Sequence, residues 1–107
     1  MATERSFVDY VTEVVGLGSR LTHKKLFGEY ALYLDGKVVA FACDNSLFIK
    51  PSRAVETLAP DLPKGPPYPE AKDYPIADEL LDDPEALRRL IEETAALMPL
   101  PKPKKKP

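Results

Sequence analysis

All twelve prolines of this 107-residue chain lie at or after position 51. Proline fixes φ, lacks a backbone N–H and is tolerated in sheets only at edges and bulges. The prolines therefore divide the chain in two. The first fifty residues are free to form a hydrogen-bonded sheet, and they hold four of the five glycines and seven of the nine aromatics. The remainder is restricted to loops, to helices that open at a proline, and to a tail. The length suits one core. We read residues 1–98 as a single domain and 99–107 (PLPKPKKKP) as a flexible, Pro/Lys-rich tail.

Within the proline-free half, Phe7, Tyr10, Val11, Val14 and Val15 recur at helical spacing and predict an amphipathic helix over 4–15. Thr3 is its expected N-cap, and Gly16 and Gly18 its stop. Residues 21–50 then read as a β-meander. Leu21–Phe27 is a strand, or an extension bent at Gly28. Tyr30, Leu32 and Leu34 alternate along the next run. Asp35-Gly36 and Asp44-Asn45 are two-residue hairpin turns. Between those turns Val38–Cys43 is apolar at every position, as expected of a strand that is central, or covered on its second face by a helix or a partner. Ser46–Lys50 places Leu47 and Ile49 on one face and Phe48 on the other.

After Pro51, Ser52 caps two helical turns that turn Val55 and Leu58 inward. The segment 60–75 contains six prolines and is expected to be irregular. Its large side chains, Tyr68 and Tyr74, are expected to anchor it as a surface loop, with a short edge strand near Tyr74–Ala77. The last helix opens with Asp83 as N-cap and Pro84 at its first position. It buries Leu87, Leu90, Ile91, Thr94, Ala95 and Met98, exposes the pairs Arg88–Glu92 and Arg89–Glu93, and stops before Pro99. The fold class is α+β: a two-layer domain with an antiparallel sheet of three to five strands, packed by N-terminal and C-terminal helices in the order helix, strands, helix, helix.

The formal charge of −2 conceals a gradient. Residues 1–53 carry seven basic and six acidic side chains, residues 54–101 four and eleven, and the tail four lysines. Such a balance argues against a dedicated nucleic-acid binder. The candidate nucleic-acid contacts are the cluster Arg20, His23, Lys24 and Lys25, together with Lys102, Lys104, Lys105 and Lys106 of the tail. The alternative for the cluster is a solvated strand edge guarded by lysines. His23 and Cys43 are a conceivable base and nucleophile, although nothing in their spacing requires it. Asp78, Glu79, Asp82 and Asp83 suit capping and solvation better than a metal site. GxGxxG, GxxxxGK[ST] and GxSxG motifs are absent. No catalytic, cofactor or metal residue is assigned. The groove between the proline loop (Tyr68, Tyr74) and the strands is a third candidate, for an enzyme or a small-ligand site. One Cys excludes an intrachain disulfide and suits a reducing cytoplasm. No apolar run is long enough to span a membrane, and the N-terminus lacks a basic-then-apolar leader pattern.

Lys25-Leu26-Phe27-Gly28-Glu29-Tyr30, followed by an apolar strand and Asp35-Gly36-Lys37, resembles the signature of the TfoX N-terminal domain family. Asp44-Asn45-Ser46-Leu47-Phe48-Ile49-Lys50 and Leu80-Leu81-Asp82-Asp83-Pro84-Glu85-Ala86-Leu87 resemble its following strand and its entry to the final helix. The motif residues are Lys25, Phe27, Gly28, Tyr30 and Gly36. Leu26 stands for the family's usual Met, Glu29 and Ala31 for glycines, and Tyr74-Pro75 for a Tyr-Tyr pair. The resemblance implies a secretion-chaperone-like α+β fold that dimerises, kinship with regulators of natural competence in bacteria, and no enzymatic site or cofactor. The expected function is a small non-enzymatic cytoplasmic module that works by protein contact, as a homodimer. The alternative is a nucleic-acid-binding regulator using the basic cluster and the tail.

Overall fold

The computed structural model describes residues 3–26 and 28–98. The expected tail, and with it the four tail lysines, lies outside the described residues, as does Phe27 of the motif. The chain runs α1 (Arg5–Val15), β1 (Leu21–Leu26), β2 (Glu29–Leu34), β3 (Lys37–Cys43), β4 (Ser46–Ile49), α2 (Arg53–Leu58), β5 (Lys64–Gly65), β6 (Tyr74–Pro75) and α3 (Pro84–Leu97), with 3-10 turns at Gly18–Arg20 and Asp78–Asp82. β1–β4 form an antiparallel meander in sequence order, and β5 and β6 form a two-stranded ribbon. The arrangement is α+β, with helices at both ends of the chain.

The meander follows from its turns. Asp35 and Gly36 at φ 52° and 86°, and Asp44 and Asn45 at φ 51° and 56°, occupy the left-handed region that a two-residue hairpin requires. Cross-strand partners share a face, so the register separates two surfaces. Leu32, Ala40 and Ile49 lie abreast, as do Tyr30, Ala42 and Leu47. These join Leu34 and Val39, the latter at a break in the β2–β3 register, on the face that carries the core. Ala31, Phe41 and Phe48 lie abreast on the other face. β3 is thus central and apolar on both sides, as the run Val38–Cys43 predicts.

The helices cover the core face. α3 buries Leu87, Leu90, Ile91, Thr94 and Ala95. Burying each leucine or isoleucine is worth about 1.5–3 kcal/mol. Asp83 accepts from the Ala86 N–H at the start of α3, and Ser52 from the Ala54 N–H at the start of α2. α3 stops at Leu97, with Met98 already extended at φ −84° and ψ 148°, the conformation favoured before a proline.

α1 departs from its expected orientation. It buries Val8, Val11 and Val15, while Phe7 and Val14 flank the core and Tyr10 is 46% exposed. Two overlapping apolar stripes exist in this helix, and packing against α3 and β1 selects the valine stripe. Thr3 does not cap it. The N-cap position is Glu4, which makes no side-chain cap bond. The Asn45 side chain accepts the Glu4 N–H from across the fold instead. The expected pairs Arg88–Glu92 and Arg89–Glu93 do not form among the described residues. Arg88 Nε donates to the Val15 carbonyl at 2.8 Å, and Glu92 lies 3.8 Å from Arg20.

The proline segment is more ordered than expected. Lys64–Gly65 pairs with Tyr74–Pro75, Ile76 bridges to Phe48, and the Ala77 N–H bonds to the Leu47 carbonyl at 2.8 Å. The segment is thereby stitched along β4 and folds over the outer face of the sheet. Its buried anchors are Leu62, Pro67, Pro75 and Ala77. Tyr74 rests on Phe41 with ring centroids 5.8 Å apart, as an anchor should. Tyr68 is 53% exposed and anchors nothing.

Candidate functional site

The outer face of the sheet carries a cavity of about 610 Å³ between β1–β3 and the proline segment. Leu26, Glu29, Phe41, Cys43, Tyr68 and Pro69 line it, with the buried Tyr30 at its floor beside Glu29. A second hollow of about 380 Å³ shares Glu29, Cys43, Tyr68 and Pro69 and extends past Asp44 and Phe48 to Pro66 and Pro67. Tyr68 therefore stands between two parts of one groove. The sequence places such a groove beside Tyr68 and Tyr74; Tyr68 lines it, whereas Tyr74 lines neither part and rests on Phe41. It arises because β3 is apolar on both faces while helices cover only one.

The Glu29 carboxylate sits at the edge of this cavity and belongs to a local network. Thr3 Oγ1 lies 2.5 Å from Glu29 Oε1 and 3.0 Å from the Ala42 carbonyl oxygen, and it accepts the Asn45 N–H. The Asp44 N–H donates to the same Glu29 oxygen at 3.1 Å. The Thr3 N–H donates to the Gly28 carbonyl. The N-terminal segment is thus tied to two hairpin turns by one carboxylate and one hydroxyl. Nothing local in the sequence marks Glu29 as functional; its one signal is that it stands where the family pattern has glycine.

Cys43 is buried in the cavity wall. Burial, and then the negative charges of Glu29 and Asp44, push its thiol up to about 11. It is a neutral, weakly reactive thiol at physiological pH. His23 is on the opposite face of the sheet, because it lies abreast of Leu32 and Ala40, and its ring meets Tyr30 edge-on at 5.5 Å. The two residues cannot act as a base and nucleophile pair across the sheet.

The basic cluster is dispersed. Arg20 grips Asp35 through two bonds, of 3.1 and 2.8 Å, which hold the Asp35 carboxyl below its ordinary range. His23 and Lys25 project to the helix side, whereas Lys24, abreast of Ala31, projects to the outer side. Lys24 and Lys25 are exposed. Of the acidic group, Asp83 caps α3 and Asp78 accepts the Leu47 N–H at 2.7 Å. No group of three or more His, Cys, Asp or Glu is placed to hold a metal ion among the described residues. No helix among them is long and apolar enough to cross a membrane.

Of the motif residues, the two glycines fall at the turns of the meander. Gly28, at φ 83°, turns β1 into β2, and Gly36 turns β2 into β3. Tyr30 is buried in the core, and Lys25 is the exposed partner opposite it on β1. The family model of the TfoX N-terminal domain matches residues 13–97. The chain belongs to the TfoX N-terminal domain family. This TfoX N-terminal domain is also 42% identical over 105 residues to the "Uncharacterized 12.7 kDa protein in trpE 5'region" of Spirochaeta aurantia, an alignment covering 98% of this chain and 91% of the relative. No solved structure matches it. Family membership makes it a small domain related to competence regulation.

Proposed function

We propose that this TfoX N-terminal domain is a non-enzymatic cytoplasmic module that works by protein–protein contact in a regulatory setting, as a homodimer. The observation that carries this reading is the outer sheet face, where Leu26 and Tyr68, 46% and 53% exposed, flank an apolar groove. Exposed apolar surface of this kind is what association removes from water. The separation of His23 from Cys43 and the raised thiol of Cys43 favour a binding role over catalysis. The pairing of Arg20 with Asp35, and the division of Lys24 from Lys25 across the sheet, leave no continuous basic stripe on the described surface to favour the nucleic-acid alternative.

Sedimentation at micromolar concentrations tests the reading. The wild type is expected to be a dimer, and the double variant Leu26→Asp, Tyr68→Ser a folded monomer. A monomeric wild type would remove the homodimer, and a variant that dimerises unchanged would move the interface elsewhere.

A further inference from the structure

We propose that the cavity between the outer sheet face and Tyr68 binds a small amphiphilic cation, an amine carried on an aromatic or hydrocarbon body. Its volume, about 610 Å³, is within the usual range of small-molecule pockets. Phe41, Tyr68, Leu26 and Pro69 give it apolar and aromatic walls, and such walls suit an aromatic body and the face of a cation alike.

The head group is chosen by charge. Glu29 lines both parts of the groove and Asp44 one of them, and no Lys, Arg or His lines either part among the described residues. Glu29 spends one oxygen, Oε1, on Thr3 and the Asp44 N–H. Its second oxygen has no hydrogen-bond partner among the described residues, so it is open to an ammonium donor. An anionic head group would face two carboxylates with no cation lining the groove among the described residues.

The loop above the cavity bears on its closure and not on the charge of the head group. The Ala71 N–H bonds back to the Tyr68 carbonyl, closing a turn through Pro69 and Glu70. Glu70 adopts φ 70°, a conformation that normally selects glycine or asparagine. A strained non-glycine residue in a turn that holds an exposed aromatic over a cavity is the pattern of a ligand clamp.

Three probes with one body separate the terms: 2-(1-naphthyl)ethylamine, 2-(1-naphthyl)ethanol and 1-naphthylacetate. The chain has no tryptophan, so naphthyl fluorescence is read without an indole background. The amine is expected to bind saturably and at least about tenfold tighter than the alcohol, and the carboxylate more weakly than either. Glu29→Gln, checked for folding by circular dichroism, is expected to bring amine and alcohol to equal affinity. Tyr68→Ala is expected to weaken both. The proposal is overturned if no probe saturates, if the three head groups bind alike, or if the amine preference survives in Glu29→Gln. If Glu29→Gln does not fold, Tyr68→Ala decides, because unchanged amine binding there overturns the site. Leu26 and Tyr68 also flank the surface proposed for association, so the amine and a second copy compete for this groove, and the titration is run at a dilution where sedimentation shows monomer. A monomer that binds the amine leaves the site standing whatever the dimer does, and a monomer that ignores it overturns the site alone.

Discussion

Arg88 Nε donates to the Val15 carbonyl across 2.8 Å, joining α3 to the last turn of α1. That carbonyl is one of the groups an α-helix leaves unpaired at its C-terminus. The chain then turns at Gly16, φ 70°, and a Cβ built there would lie 3.4 Å from the Arg88 guanidinium. A cation at the negative end of the helix dipole adds to the bond. Lys37 does the same for α3, donating from Nζ to the Ala95 carbonyl at 3.2 Å. Each of these helices therefore ends on a basic side chain contributed by another element.

Arg88→Met keeps much of the stem packing and removes the donor. It is expected to lower stability by about 1.5–3 kcal/mol, the range for a hydrogen bond to a charged group. The urea midpoint reads this directly. An unchanged midpoint would mean that water replaces the guanidinium at Val15.

The rotated stripe of α1 gives a sharp contrast between apolar residues. Tyr10→Ser is expected to change stability by less than about 0.5 kcal/mol, as at most surface positions. Leu90→Ala, at a side chain packed into the core from α3, is expected to cost about 2–5 kcal/mol. If Tyr10→Ser proved as damaging as Leu90→Ala, α1 would face the sheet as its simple periodicity predicts.

Asn45 does two things that substitution can separate. Its backbone holds φ 56°, and its side chain accepts the Glu4 N–H at 3.0 Å. Asn45→Gly preserves the first and loses the second, with an expected loss of about 0.5–1 kcal/mol. Asn45→Ala loses both, and the left-handed backbone is expected to add about 1 kcal/mol more. Thermal unfolding of the two variants side by side checks the order. Equal losses would show that the turn conformation contributes nothing.

The Cys43 thiol is pushed up from 9.0 to about 11. Folding therefore favours the protonated form. The associated stability is complete below pH 9 and is lost as the pH rises through about 11. Two pH units also mean that the thiolate population at mildly alkaline pH is on the order of a hundredfold lower than in the unfolded chain. Iodoacetamide is expected to label native protein correspondingly slowly and urea-unfolded protein at the ordinary rate. Cys43→Ala is expected to flatten the alkaline loss of stability. Rapid labelling of the native thiol would contradict this picture.

The meander was legible because its signals are local. Asp35-Gly36 and Asp44-Asn45 adopt positive φ from their own chemistry, and the alternation of Tyr30, Leu32 and Leu34 matches the pleat. The opening of α3 was legible for the same reason: Asp83 and Pro84 act within one turn. The motif around Gly28 and Gly36 marked the family because those residues fix backbone geometry. The candidate site was legible only in outline. Tyr68 and Tyr74 pointed to a groove beside the strands, but Glu29, Phe41 and Leu26 meet there from three different strands, and no local pattern joins them.

The sequence by itself determined where the sheet could be, where the chain turned and where α3 began, since proline, glycine and capping residues act over a few bonds. Tertiary structure alone decided which stripe of α1 is buried, that Arg88 and Lys37 finish distant helices, and that the proline segment lies across the second face of β3. Prolines exclude regular structure from that segment without directing where it goes. Its position follows from an apolar sheet face that the helices leave uncovered, and the same uncovered face creates the cavity under Tyr68.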